Sequence, residues 1–362
     1  MTRIAAPVEF MREALELAIK GLGRTSPNPA VGAVVVRAGR VVGKGYHKKA
    51  GLPHAEVEAI RDAGIRAKGA DLYVTLEPCN HFGKTPPCTD AILTAGIKRV
   101  FTGAADVNPK VSGSGIRRLR RAGVKVVTGV LSDECSAINE CYNKFIRKRV
   151  PYVMLKMAVS LDGKITYAPG SKKKWISGET SRRLVHGLRD IYDCVLVGSG
   201  TVLKDDPKLN VRLVKGRDPK KAVLDESLCT PVNSEILKGE RCYIFTSPRL
   251  VSSKRAAGLT RRGAEVIGVP DVKNGLDIKA VLRELGRRGI VSVMVEGGAR
   301  VAASFMASGS VDRMMVFVAP LVIGDGAVSA VASLGMLGKA GVTLKDVSIS
   351  TVGGDVLVEG VL

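Results

Sequence analysis

Strand-like apolar runs alternate with helix-like amphipathic segments along the chain, and no other feature restricts its fold as strongly. In the first half, Val31–Val36 and Arg40–Val42 flank the turn residues Ala38-Gly39 and read as a β-hairpin. Ala55–Ala63 has a helical pattern, Asp71–Leu76 reads as a strand ending at Glu77-Pro78, and Cys88–Ala95 reads as a helix stopped by Gly96. Strands Arg99–Thr102 and Val124–Val127 enclose a basic helix, Ile116–Arg121, and Asp133 is placed to N-cap a closing helix that ends near Arg147. In the second half, strands are predicted at Tyr152–Ala158, Asp193–Val197, Lys221–Leu224, Arg241–Phe245, Glu265–Val269, Val291–Val295 and Arg313–Val318, with helices at Ile278–Arg287 and Ala299–Ala307. Such alternation predicts α/β domains, the first of them three-layered. At roughly 100–200 residues per domain, two are expected. The basic stretch Lys144–Arg149 followed by Pro151 is the best boundary, separating 1–148 from 149–362.

Composition excludes several classes. Hydrophobic residues make up 45% of the 362, too many for a disordered chain, and aromatics only 4%, so the cores are expected to be built from Val, Leu, Ile and Ala. Met1–Lys20 sets Val8, Met11, Leu15 and Ala18 among charges, the pattern of an amphipathic surface helix rather than a leader. No apolar run approaches the roughly 18–20 residues needed to span a bilayer. A soluble cytoplasmic protein with no membrane partner is expected. Seven irregularly spaced cysteines argue against a disulfide framework. A net charge of +22 fits a solvated basic surface, a nucleic-acid partner, or an anionic small molecule such as a phosphorylated sugar or a dinucleotide. The basic clusters at Lys144–Arg149, Lys172–Lys174 and Arg261–Arg262 do not interleave with aromatics as a base-stacking platform would.

His54-Ala55-Glu56, Pro78-Cys79 and Cys88 carry the chemistry. One imidazole and two thiolates make a three-ligand zinc set that leaves the fourth tetrahedral position open for water, as a catalytic site requires. Zinc lowers the pKa of that water toward about 7. Glu56 sits too close to His54 in sequence to be a convenient fourth ligand and is placed to move protons from the water to a ring nitrogen or a departing amine. The arrangement matches the His-x-Glu…Pro-Cys…Cys signature of zinc nucleobase deaminases. That signature spaces its cysteines by two residues; here eight intervene, Asn80–Pro87, and they include His81, Lys84 and Thr85.

Thr75-Leu-Glu-Pro-Cys-Asn-His-Phe-Gly-Lys-Thr-Pro-Pro-Cys88, Ser26-Pro-Asn-Pro-Ala-Val-Gly32, and Asp106-Val-Asn-Pro109 leading to Gly113-Ser-Gly115 resemble the bifunctional riboflavin-biosynthesis deaminase/reductases, with Val107 in place of a usual proline. The resemblance covers essentially the whole chain. It implies a cytidine-deaminase-like first domain that holds one zinc ion per chain and hydrolyses the 2-amino group of a diaminopyrimidinone ribosylamine 5′-phosphate. It also implies a substrate pocket lined by Asn28, His47, His81, Lys84, Thr85, Asp106 and Asn108, with Lys84 toward the phosphate.

Read without the family, the second half resembles a nucleotide-binding domain only weakly. Gly198-Ser-Gly200-Thr201 lacks the third glycine of a dinucleotide fingerprint. Glu296-Gly297-Gly298 could offer backbone N–H groups to a phosphate or be a plain strand-to-helix turn. The resemblance adds Leu155–Ile165, Trp175-Ile176, Gly200–Pro207 and Val295–Gly298, and implies a dihydrofolate-reductase-like domain that reduces the ribosyl group to ribityl with NADPH. It implies Ala158, Trp175, Gly198, Thr201, Asp205, Gly297 and Gly298 for the cofactor. Lys173, Arg189, Leu209, Arg212 and Glu296 are implied for the substrate, Lys156 and Asp205 near the chemistry, and a homo-oligomer, dimer or tetramer. Lys173 stands where a small hydroxyl residue is usual, and Glu226 where a serine usually follows Leu224-Asp225, which leaves NADP over NAD open. Alternative readings are a deaminase with an impaired or cofactor-altered reductase, a tRNA or nucleobase deaminase, and a nucleic-acid-binding module with a structural zinc.

Overall fold

The apolar run Gly32–Arg37 is buried along its length except for its final arginine, so it needs cover on both faces. It lies inside a five-stranded sheet with helices on either side. This computed structural model describes residues 5–83, 85–109, 111–332 and 341–362, and the chain divides into two units, Met1–Arg149 and Val150–Leu362. The first unit runs α1 (Ala5–Ile19), β1 (Gly32–Arg37), β2 (Arg40–Tyr46), α2 (Ala55–Ala63), β3 (Asp71–Leu76), α3 (Cys88–Thr94), β4 (Arg99–Ala104), α4 (Ser114–Arg121), β5 (Lys125–Thr128), α5 (Ser132–Ala137) and α6 (Glu140–Lys148). The strand order is β2-β1-β3-β4-β5, with β1 antiparallel to β2 and β3 and the last three strands parallel.

Two glycines on β2 determine where α2 lies. A Cβ at Gly43 would stand 2.3 Å from the Ala59 carbonyl oxygen, and one at Gly45 2.4 Å from that of Ala55. The helix backbone therefore rests directly on the strand, and its first turn, with His54 as N-cap, is fixed against the sheet.

The single closing helix expected from Asp133 is two helices. The Asn139 side chain turns away to bind the backbone of Ala30, accepting from its N–H at 2.8 Å and donating to its carbonyl at 2.9 Å, and this interrupts the helix. The N-cap of α5 is Leu131, in a left-handed conformation, and Asp133 lies inside the first turn.

The second unit runs β6 (Tyr152–Ser160), α7 (Glu179–Ile191), β7 (Cys194–Gly198), α8 (Ser199–Asp205), β8 (Lys220–Leu224), β9 (Cys242–Thr246), α9 (Lys254–Arg261), β10 (Ala264–Gly268), β11 (Asp271–Val272), β12 (Gly275–Leu276), α10 (Ile278–Arg287), β13 (Ser292–Val295), α11 (Ala299–Ala307), β14 (Arg313–Ala319), β15 (Lys345–Val352) and β16 (Asp355–Val361). Its sheet has the order β10-β9-β8-β7-β13-β6-β14-β16-β15, parallel from β10 to β14 and closed by the antiparallel β16 and β15. The central strands β7, β9 and β13 are buried throughout, as unbroken apolar strands of a parallel sheet must be. The chain steps outward from β6 through β7 to β10 and then returns β13 between β6 and β7. The strand order reverses there, and that reversal opens a crevice beyond the carboxyl ends of the strands. Among the described residues no helix is long and apolar enough to cross a membrane.

Candidate metal centre and cofactor cleft

Three elements of the first unit bring the metal donors together. His54 caps α2, Cys79 follows β3 after Glu77-Pro78, and Cys88 begins α3. The His54 Nδ1 atom lies 3.2 Å from Cys88 Sγ and 3.6 Å from Cys79 Sγ, and the two sulfurs are 3.4 Å apart. A tetrahedral zinc bound to one imidazole and two thiolates separates its donors by about 3.5–3.8 Å, so each side of the triangle fits zinc to within about 0.4 Å. Hydrogen bonds from Cys88 and His54 pull the Cys79 thiol down to about 4, and the Cys88 amide also donates to Cys79 Sγ at 3.3 Å. Cys88 is pushed up by its bond to Cys79 and by burial. Both sulfurs bind a metal as thiolates, so a metal would displace the protons they hold. Burial pushes the Glu56 carboxyl up to about 7, with the neighbouring Cys79 adding to the rise. A carboxyl held there can both take and give a proton at neutral pH.

Glu77 builds the wall behind the metal donors. It is buried and accepts from three amides at the start of α4, Gly113 at 2.9 Å, Gly115 at 3.2 Å and Ile116 at 3.4 Å. A Cβ at Gly115 would sit 1.9 Å from the Pro78 carbonyl oxygen, so α4 presses against the backbone that carries Cys79.

In the second unit the crevice is a cleft of about 940 Å³. Lys156, His186, Arg189, Arg212 and Glu296 line it as an ionic cluster. Arg189 donates Nε and a terminal nitrogen to the two Glu296 carboxylate oxygens at 2.7 and 2.9 Å, and its other terminal nitrogen to the Asn210 carbonyl at 3.1 Å. Burial pushes the Glu296 carboxyl up, but Arg189 and then Lys156 outweigh it and hold its pKa below the usual value. Burial lowers Lys156. The Arg212 amide donates to His186 Nδ1 at 3.0 Å, and burial with the nearby Arg189 and Arg212 charges pushes His186 down to about 4. Gly198 ends β7, and Gly297-Gly298 follow β13, with Gly298 capping α11. Both glycine turns line the cleft.

A family profile described as "RibD C-terminal domain" matches residues 151–358, and one described as "Cytidine and deoxycytidylate deaminase zinc-binding region" matches residues 6–104. The riboflavin biosynthesis protein RibD of Aquifex aeolicus is 46% identical over 322 residues, 88% of each chain. The chain belongs to the RibD family. Acinetobacter baumannii RibD matches its fold with a TM-score of 0.88 at 34% identity over 98% of both chains. The Thermotoga maritima diaminohydroxyphosphoribosylaminopyrimidine deaminase/5-amino-6-(5-phosphoribosylamino)uracil reductase matches with a TM-score of 0.87 at 39% identity, also over 98% of both.

Several residues singled out by the RibD resemblance gather round the metal donors. The His47 ring meets that of His54 edge-on, with 5.1 Å between centroids. His47 donates from Nδ1 to the Pro53 carbonyl at 3.2 Å and accepts at Nε2 from Asn28 at 3.2 Å, and burial lowers its pKa, so the ring stays neutral with a fixed tautomer. Thr85 Oγ1 is 3.5 Å from His54 Nε2. Asp106 accepts from the Asn108 amide at 2.8 Å. His81 is exposed and near enough to draw down the Asp106 carboxyl, which burial pushes up overall. Lys84 lies outside the described residues. In the second unit Ala158, Trp175, Thr201 and Asp205 join the cleft walls, but Lys173 and Leu209 do not. The Leu209 side chain is buried in its loop, and Lys173 is exposed, with its amide bound to Ser171 Oγ; the neighbouring Lys174 reaches the cleft instead.

Sequence reasoning missed Tyr142, whose hydroxyl donates to Asp106 at 3.1 Å from α6. It also passed over Glu77 and His186. Glu77 stood inside the quoted cysteine motif, and His186 three residues before Arg189, but a lone buried histidine or glutamate gives no signal by itself.

Proposed function

We infer that the chain is a bifunctional enzyme of riboflavin biosynthesis. Its first unit hydrolytically deaminates 2,5-diamino-6-(5-phosphoribosylamino)pyrimidin-4(3H)-one, and its second uses NADPH to reduce the ribosyl group of the product to ribityl, giving 5-amino-6-(5-phosphoribitylamino)uracil. The observation that carries this reading is the pairing, in one RibD-family chain, of a three-donor metal triangle beside a buried carboxyl with a glycine-turn cleft that has an ionic end.

Zinc held by His54, Cys79 and Cys88 supplies Lewis acidity and makes a bound water easier to ionise. Glu56 would take one proton of the attacking water and pass it to the ring nitrogen, then carry the second from the added hydroxyl to the amino group, so that the C–N bond breaks, ammonia leaves and the oxygen remains as the carbonyl. Asn28, His47, Thr85, Asp106 and Asn108 hold the pyrimidine and ribose, and Tyr142 steadies Asp106. His81, in the insert between the cysteines, lines the same pocket, and the family resemblance assigns Lys84 to the substrate phosphate.

In the second unit NADPH supplies the hydride. The Gly297-Gly298 amides at the start of α11 hold its diphosphate, with Ala158, Trp175, Gly198 and Thr201 along its length. Arg189 and Glu296 bind one another and so present a fixed polar wall, not free charges. Lys156 holds sugar hydroxyls or phosphate against that wall, Arg212 meets the substrate phosphate, and Asp205 assists ring opening.

The partner is a phosphorylated pyrimidine and not a nucleic acid, for which two anionic ligands give the charge of +22 a use. Seven irregularly spaced cysteines, two of them metal donors, suit a reducing compartment such as the cytoplasm. Among the described residues the sheet ends at β15, which leaves Val347 and Ile349 exposed, and this supports a homo-oligomer. The test is a coupled assay of the zinc-replete chain on the diaminopyrimidine phosphate. Ammonia release followed by NADPH oxidation is expected. Ammonia without NADPH oxidation would confine the activity to the first unit, and neither signal would refute the reading.

A further inference from the structure

We propose that Glu226 sets the dinucleotide selectivity of the second unit: it disfavours a phosphate on the adenosine 2′-hydroxyl, so that the cleft accepts NADH alongside NADPH. The proposal deepens the reading of this cleft as a dinucleotide site and rests on it.

The cleft has two chemically different ends. The strand order β8-β7-β13-β6 sets the glycine turns, which follow β7 and β13, between a wall at β6 and a wall at β8. On the β6 side are Lys156 and the Arg189–Glu296 pair, which suit a phosphorylated substrate. On the β8 side the lining is Leu224, Leu276 and Ile278 with Glu226, Ser227 and Asn274. Apolar side chains with a carboxylate at their edge are what an adenosine needs: the base packs on the aliphatic groups, and the ribose hydroxyls donate to the carboxylate.

Glu226 is held at that edge by its backbone. Its carbonyl oxygen accepts from the Ser247 amide at 3.3 Å and the Thr246 hydroxyl at 3.1 Å, and the Ser247 hydroxyl donates to Asp271 in the β11–β12 hairpin at 2.6 Å. Lys204 and Arg300 also line the cleft, but among the described residues no cation lies within ion-pairing distance of the Glu226 carboxylate. It therefore meets a ligand with its charge uncompensated. A ribose with free hydroxyls donates to it. A 2′-phosphate removes that donor and brings about 1.5–2 negative charges to the same acceptor.

The experiment titrates the full chain with NAD⁺ and with NADP⁺ and follows the fluorescence of Trp175, the single tryptophan, which lines the cleft. The wild type is expected to bind the two with dissociation constants within about tenfold of each other. Glu226→Gln and Glu226→Ser should each shift the ratio toward NADP⁺ by about tenfold or more, with Glu226→Ser also weakening NAD⁺. Binding of NAD⁺ by Glu226→Gln shows that this variant is folded. An unchanged ratio in Glu226→Gln overturns the role of Glu226 and leaves the cleft reading intact. Failure of the wild type to bind either dinucleotide overturns the cleft reading, and the proposal with it.

Discussion

Replacing Glu296 with glutamine removes one charge from a pair whose side chains are each only 11% exposed. At 4 Å and an effective dielectric near 20, such a pair is worth about 4 kcal/mol of Coulomb energy. Stripping one partner from a buried pair costs about 3–5 kcal/mol, because the other charge is left without compensation. Glutamine keeps an acceptor for one of the two Arg189 hydrogen bonds, so the lower end, about 3 kcal/mol, applies. The stranded Arg189 would face Lys156 and Arg212, like charges that already act on this cluster. Arg189→Met is the milder change, because Lys156 still faces Glu296 and compensates part of its charge. Urea unfolding followed by Trp175 fluorescence reports on the second unit alone, since the chain has no other tryptophan. The difference between wild type and Glu296→Gln is also pH-dependent. The Glu296 pKa is depressed in the folded chain, so its contribution is complete above the unfolded carboxyl pKa of about 4.3 and disappears as pH falls through the lower folded value. The two curves should stay parallel near neutrality and converge below about pH 4. Equal stability of the two proteins at pH 7, or a larger loss in Arg189→Met, would refute the reasoning.

Glu56→Gln should lower ammonia release by about 10²–10⁴-fold while metal analysis still finds zinc, because the carboxyl is a proton carrier and not a ligand. Gly115→Ala puts a methyl group where the Pro78 carbonyl stands 1.9 Å away, and should cost about 1–3 kcal/mol and loosen zinc, read by competition with a chelating dye. Lys156→Ala and Asp205→Asn should each slow NADPH oxidation on deaminated substrate, and unchanged rates in both would remove them from the chemistry. Chelation of zinc should abolish ammonia release and leave that same NADPH oxidation within about twofold, since the metal donors and the cleft belong to separate units.

The elements legible in the sequence were the strands of continuous apolar content and the helices α2, α10 and α11, whose bounds match their predicted ranges. The buried strands β3, β7 and β13 fall within a residue of their predicted bounds. What stayed hidden was set by contacts distant in sequence. The break between α5 and α6 comes from Asn139 reaching a loop 109 residues earlier. Helix α7 escaped because charged residues interrupt its apolar pattern, and one of them, Arg189, turns inward to pair with Glu296. Strand β15 is exposed along nearly its whole length and offers no buried face to read. The metal donors were plain in the sequence because their spacing is a motif. Tyr142 was not, because its value lies in reaching Asp106 across 36 residues.

A metal in this site would also bear on the eight residues between Cys79 and Cys88. Both ends of the insert are metal donors, so a bound metal closes it into a short loop at the edge of the site. Asn80, beside the first donor, accepts from Thr89, which follows the second, at 3.0 Å and from Arg118 of α4 at 2.9 Å. The exposed tip holds His81 and Phe82, and Thr85 turns back toward the His54 ring. A structural zinc would hold such a loop equally well but would leave no coordination position for a reactant. A zinc held by three donors would do both: it would tie the ends of the loop and leave one coordination position beside Glu56. The length of this insert is where the chain departs from the two-residue spacing of the simple nucleobase deaminase signature, and it sets Thr85 beside the His54 ring, where a reactant at the metal would meet it.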